Sequence, residues 1–451
     1  MYGRRLVGAL AVAAMLSIRL EAQSTTDLAA LSGLAPVTTL SRTSAGRAAL
    51  GANYTVTGGI QAGELRQSAL LPFADDQQQA LRDVFESFGN LAQLADGLGT
   101  TLGAAYVTRA HYIDRTHFTE LSQSVSDVAA YALAVAHGNS TAGKYFFANF
   151  TTDGRKPVSA EAKAIVEKID GTVDMFGRAY GFPAGGPGAG SYGDARPFQT
   201  EPNFTRIIGR DYFGTPADNT VYNRGPMMNL TNSPSFPSGH TTYGYTGVLV
   251  LAFLFPERYP EMIVRGAEYG NHRIVVGAHY AMDVLGGRTL ALYDMAHLLA
   301  NDSAYVGQSY AGVQTIKDFR GAVVRARKDA RKILETVCGK AIAECAREDI
   351  GRLSDPAANS AFYASTQTYG LPVVYAANST RIVDVGKVAP EAGYLLTIAY
   401  PSLSLQQAND ILSKTLGPGG GFLDDGSEFG VYSRIDLHAA ARYAAVLTAG
   451  K

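Results

Sequence analysis

Three helical patterns in succession, at about 238–255, 260–269 and 279–300, constrain this chain most. Apolar residues recur there at helical spacing, and such a train builds packed helices rather than a sheet. Other patterns precede it. One is capped by Asp75 or Asp76 and carries Leu81, Val84, Phe85, Phe88, Leu91 and Leu94 at helical spacing. Two more run at about 120–137 and 159–179, and a long amphipathic, charged segment follows at about 310–349. The stretch 23–72, rich in Ser, Thr, Ala and Gly, reads as loop with short elements, and 181–193 as loop. From about 355 the composition changes. Segments 373–375, 381–385 and 394–399 read as short strands, 405–415 and 437–447 as helices. The expected fold is mainly α. A helical bundle with the site between helices occupies 23–350, and a small mixed α/β C-terminal extension occupies 351–451.

Residues 1–22 read as a signal peptide. Arg4 and Arg5 precede an apolar run over 6–18, and Leu20-Glu21-Ala22 precedes Gln23 as a cleavage site. A run this short does not span a bilayer, and no later segment reaches the roughly 20 apolar residues a membrane helix needs. The mature protein is expected to be secreted or periplasmic, without stable membrane insertion. In that compartment the two cysteines, Cys338 and Cys345, are expected to pair. Seven residues along an unbroken helix would hold the sulfurs apart, so the pairing requires a turn near Gly339. A net charge of −1 argues against a nucleic-acid partner.

Three short segments fit one chemical task. In the third, Arg273 precedes His279 and Asp283. Positions i and i+4 share a helix face, so a helix starting near Ala278 lets Asp283 accept from one ring nitrogen of His279. The other nitrogen then presents its lone pair, as a nucleophile or general base requires. The second, Pro237-Ser238-Gly239-His240, reads as a helix start whose backbone N–H groups favour an anion, with His240 beside it as a proton donor. The first is Arg196-Pro197. Arg196 and Arg273 offer planar forks of donors for phosphate oxygens. Among the eight histidines no cluster has metal-ligand spacing, so phosphate handled by charge and hydrogen bonds alone is expected, with no metal. His111, His117, His137 and His297 read as surface or core polar residues, and His272 as a neighbour of the site by adjacency.

Together these segments resemble the type 2 phosphatidic acid phosphatase and vanadium haloperoxidase superfamily, including bacterial class A acid phosphatases. That family's pattern is Lys, six residues, Arg-Pro; then Pro-Ser-Gly-His; then Ser-Arg, five residues, His, three residues, Asp. Arg196-Pro197, Pro237 to His240, and Arg273, His279 and Asp283 match it. The resemblance implies a helical bundle and a metal-independent phosphatase acting on small phosphate monoesters, lipid phosphates included. In it His279 attacks phosphorus, and His240 protonates the leaving group. Asp283 orients His279, while Arg196, Arg273 and the Ser238–Gly239 backbone hold oxygens. No cofactor is implied. Vanadate enters only under the alternative of a haloperoxidase, where His279 binds it. A degenerate, non-catalytic phosphate-binding protein is the other alternative. The chain departs from the pattern twice. His272 stands in place of Ser, and Ala189 in place of Lys. Arg178, Lys156 and Arg210 are candidates to supply the missing charge.

Overall fold

The computed structural model describes residues 27–65, 70–85, 90–149, 160, 196–200, 204–219 and 233–449. These are mainly helical, with one two-stranded hairpin, Ile208–Arg210 against Pro216–Asp218. The expected signal peptide, the pattern at 161–179 and the loop at 181–193 lie outside the described residues.

The segment 23–72 differs from expectation. It holds helices α1 (Leu28–Leu34) and α2 (Ser44–Ala62), joined by a 3₁₀ stretch. The Asp27 and Thr43 side chains cap their N-termini, and Gly63, at φ 74°, ends α2. Small residues dilute the apolar signal here, yet they let the helices sit close to the core. The pattern after Asp75 splits into α3 (Phe73–Arg82) and a separate 3₁₀ turn at Ala92–Leu98. Two further helices follow, α4 (Thr100–Arg109) and α5 (Gln123–Asn149).

Helix α6 (Gly239–Leu254) is the centre of the molecule, and all its residues are buried. Its sequence is apolar on every side, which is tolerable only in a core. Around it pack α5, α7 (Tyr259–Val275), α8 (Ala281–Ala300) and α9 (Phe319–Cys338). Gly244 admits the closest of these approaches, because a Cβ there would lie 2.3 Å from the Tyr269 ring of α7. Gly339, at φ 67°, stops α9 and turns the chain, so Cys338 and Cys345 bond as expected, with Cα atoms 6.2 Å apart.

The C-terminal region needs a correction. None of the three expected strands forms. The N–H groups of Val374 and Tyr375 both donate to Gly420 O, at 2.7 and 2.9 Å, and a single-turn helix starts at Val385. Tyr394–Thr397 is likewise a helical turn, burying Leu395 and Leu396 together. Alternation over three to six residues does not separate a strand from a buried helical turn. Helices α10 (Pro356–Thr368), α11 (Leu405–Lys414), α12 (Glu428–Arg434) and α13 (Leu437–Thr448) complete the region. Of these, α10 and α13 pack on α7, and α12 packs on α8.

A buried ion network clamps α7 to α3. Arg265 bonds both oxygens of Asp83, at 2.6 and 2.7 Å, and Asp96 at 2.8 Å. His272 bonds Asp83 at 2.6 Å through Nδ1 and Asp76 at 3.0 Å through Nε2. Burial opposes the charge on His272, but the hydrogen bonds to Asp76 and Asp83 outweigh it and raise its pKa to about 9. A histidine raised on folding stabilises fully below its unfolded value near 6.5, and that contribution is lost as pH rises through about 9. We predict that unfolding free energy falls by about 3 kcal/mol across this window on account of His272. His297, also raised to about 9 against its burial by Glu428 and Asp302, adds a parallel slope. Urea unfolding at pH 6 and 9.5 checks the His272 share. His272→Gln should be less stable at pH 6 and show a clearly flatter pH dependence; an unchanged slope contradicts the assignment.

Candidate active site

The three motif segments meet at the N-terminal ends of α6 and α8. Gly277, at φ 72°, makes the turn between α7 and α8. A Cβ on it would strike the Phe204 ring at 1.9 Å. After this turn the N–H groups of Ala278 and His279 both donate to Arg273 O, at 3.0 and 3.2 Å. Arg273 and His279 are thereby fixed to one another through backbone.

The helix begins later than the sequence suggests. Tyr280 is the N-cap, so His279 stands just outside α8 and Asp283 is its third residue. The i, i+4 relation survives, with His279 Nδ1 3.3 Å from Asp283 Oδ2. Asp283 gains a second duty, accepting the Tyr280 N–H at 2.8 Å in a capping box. From α2, Thr57 and Asn53 accept the N–H groups of Ala281 and Met282, at 3.1 and 3.0 Å. The first turn of α8 is therefore held on three sides.

His279, Asp283 and Arg196 are fully buried, and Arg273 and His240 nearly so. Arg196 NH1 lies 2.9 Å from His279 Nε2 and 3.0 Å from Ala278 O. Its other donors meet Ser233 O at 2.9 Å, Ser233 Oγ at 3.2 Å and Pro234 O at 3.0 Å. Donation to Nε2 places the ring proton on Nδ1, facing Asp283, which is the tautomer a nucleophilic Nε2 needs. Burial first, then the charges of Arg196, Lys144, His240 and Arg273, hold the His279 pKa well below its ordinary value. The ring stays neutral into acid. Burial pushes the Asp283 carboxyl up to about 6, against the hydrogen bonds from Ser235 and Tyr280 that hold it down.

Ser238 caps α6, its Oγ accepting the Thr241 N–H at 3.2 Å, while its own N–H donates to Asp283 O at 3.0 Å. The two helix starts are thus tied together. Gly287 permits this approach, since a Cβ there would lie 2.5 Å from Ser238 O. Gly239 and His240 open the first turn of α6, whose N–H groups have no acceptor within the helix. Arg273 stacks on the Tyr269 ring at 4.9 Å.

His272 does not join the site; its ring points to Asp76 and Asp83. Of the candidate replacement cations, Arg210 is exposed on the hairpin and bonds Gly214 O at 2.7 Å, so it is withdrawn. Lys156, Arg178 and Ala189 lie outside the described residues. His297 is an ion-paired group between Asp302, Glu391 and Glu428, and His137 bonds Tyr243 OH at 3.0 Å. Two residues escape a sequence reading. Ser235 donates to Asp283 Oδ2 and lies 3.4 Å from His279 Nδ1; its signal is its place in the Pro-Ser-Phe-Pro-Ser-Gly-His run. Lys144 of α5 bonds Pro234 O at 2.8 Å and carries no local signal at all.

Residues 189–300 match the PAP2 superfamily. Over 101 residues the chain is 37% identical to a non-specific acid phosphatase of Salmonella typhimurium, covering 22% of this chain and 34% of the relative. It is 42% identical over 69 residues to an acid phosphatase of Zymomonas mobilis, covering 15% of this chain and 26% of the relative. A lipid A 1-phosphatase of Rhizobium johnstonii is 35% identical over 85 residues, covering 18% of this chain and 34% of the relative. The chain thus spans about a third of the length of the Salmonella relative. Arg196, His240, Arg273, His279 and Asp283 all lie inside the segment 189–300 that matches the PAP2 superfamily, and that segment is similar to relatives named acid phosphatases.

Proposed function

We propose that this chain hydrolyses phosphate monoesters through a phosphohistidine on His279. One observation carries the reading: a buried, neutral imidazole held by Asp283 at Nδ1, with Nε2 turned to Arg196. Nε2 attacks phosphorus, the P–N bond forms as the ester P–O bond breaks, and His240 gives its proton to the leaving oxygen. His240 then takes a proton from water, which attacks the phosphohistidine and releases phosphate. Arg196, Arg273 and the first turn of α6 hold the equatorial oxygens, where charge develops. None of these steps calls on a cofactor. Lipid phosphates present the same terminal group, and the name of the Rhizobium relative puts them in the test set. The protein acts outside the cytosol in this reading, supported by the basic and apolar N-terminal run and by the Cys338–Cys345 bond. Among the described residues no helix is long and apolar enough to cross a membrane.

The test is p-nitrophenyl phosphate turnover in EDTA without added vanadium. Hydrolysis is expected, with vanadate inhibiting competitively as a mimic of the five-coordinate transition state. No bromination of monochlorodimedone by peroxide and bromide is expected. Vanadate-dependent bromination without ester hydrolysis would replace this reading with the haloperoxidase one.

A further inference from the structure

Lys144 lies beside the site, sharing one carbonyl with Arg196, without belonging to any of its motifs. It is carried by α5, which packs against the start of α6: a Cβ on Gly143 would lie 3.3 Å from the Pro237 ring, and one on Gly239 would lie 3.1 Å from Ser140 Oγ. Lys144 is 8% exposed, and its Nζ donates to Pro234 O at 2.8 Å. That same carbonyl accepts Arg196 NH2 at 3.0 Å. The ammonium and the Arg196 guanidinium therefore flank one oxygen, and Arg196 in turn touches His279 Nε2. The Lys144 charge acts on both His279 and Asp283.

Burying a lysine is costly unless an anion or a set of acceptors offsets the lost hydration. Lys144, Arg196, Arg273 and the protonated His240 bring four positive charges to the nucleophile, and Asp283 brings one negative charge. A phosphate monoester dianion offsets two of the three net positive charges, whereas a diester monoanion offsets only one.

We propose that Lys144 is a third phosphate-binding cation of this site and sets its preference for monoester dianions. The proposal deepens the phosphatase reading and rests on it for the identity of the substrate. Lys144 uses one of its three donors on Pro234 O and turns another to a phosphate oxygen beside Arg196.

Lys144→Met keeps the length of the stem and removes the charge, and Lys144→Arg keeps the charge. With p-nitrophenyl phosphate, Lys144→Met should raise KM and the inhibition constant of inorganic phosphate by roughly 10–100-fold, the range for one charge-assisted hydrogen bond. Hydrolysis of bis(p-nitrophenyl) phosphate should change less than threefold or so, and Lys144→Arg should recover most of the phosphate affinity. A folded Lys144→Met protein with unchanged phosphate inhibition overturns the proposal, as does an equal loss on monoester and diester. Should Lys144→Met fail to fold, the wild type and Lys144→Arg decide. In both, inhibition must follow the phosphate dianion as pH crosses its second pKa, and a dependence on the monoanion overturns the proposal. If the wild type hydrolyses no ester, the phosphatase reading fails. Phosphate-induced thermal shifts of wild type and Lys144→Met then decide Lys144 alone.

Discussion

His279→Ala is expected to lower kcat by roughly 10⁵-fold or more, the scale on which removing a nucleophile acts. No neighbouring group can take over. His240 opens α6 and Asp283 sits behind the ring, so neither occupies the position of Nε2 beside Arg196. Phosphate affinity should change far less, because Arg196 and Arg273 are anchored independently of the imidazole. Arg196 holds three backbone carbonyls, and Arg273 stacks on Tyr269. Quenching wild type with labelled substrate should trap an acid-labile, base-stable phosphoenzyme, the stability of a phosphoramidate, and His279→Ala should trap none. Asp283→Asn should retain the fold and lose about 10⁴-fold, as a wrong tautomer does when an orienting carboxylate becomes an amide. An acid-stable phosphoserine in the wild type would sink the mechanism.

The pair behaves this way because burial acts on both members at once. The site charges push His279 toward its neutral form, and burial pushes Asp283 up toward a proton. Ser235 and the Tyr280 N–H supply the donors that offset this on the Asp283 side. The carboxylate is thus held by three neighbours, of which the histidine is one. It orients the ring without depending on the ring for its own partners.

What could be read in advance divides along physical lines. Arg196, Ser238, Gly239, His240, Arg273, His279 and Asp283 were legible because each lies in a short segment whose spacing is imposed by a helix start or a tight turn. The central helix α6 was legible because it is apolar on every side. The partners that support the site were not. Asn53, Thr57 and Lys144 act across 229, 224 and 90 residues of chain, and nothing local marks them. Helices α1 and α2 were hidden by small residues, whose burial depends on close approach rather than on apolar area. The expected C-terminal strands failed for the reverse reason. Val373, Val385 and Leu395 lie in segments that read as strands, but the N–H groups of Val374 and Tyr375 converge on the single carbonyl of Gly420, and the backbone at Val385 and Leu395 closes into helical turns.

His240→Ala should split substrates by their leaving groups. An alkoxide is a poor leaving group and needs the proton His240 supplies, so alkyl phosphates should lose about 10²–10⁴-fold in kcat/KM. A nitrophenolate leaves with little help, so phosphorylation of His279 by p-nitrophenyl phosphate should slow far less. The second half-reaction does not share this relief. Water must still be deprotonated to attack the phosphohistidine, and the residue that takes its proton is gone. The variant should therefore release a burst of nitrophenolate equal to the enzyme present, then turn over slowly, with phosphohistidine accumulating. His240 stands on the first turn of α6, nearly buried, and its charge acts on His279, which supports the role proposed for it in both proton transfers. A residue that only bound phosphate would lower both substrate classes alike and leave no phosphoenzyme behind. Rapid-quench measurement with ethyl phosphate and p-nitrophenyl phosphate separates the two. Equal losses without a burst would move His240 from proton transfer to binding.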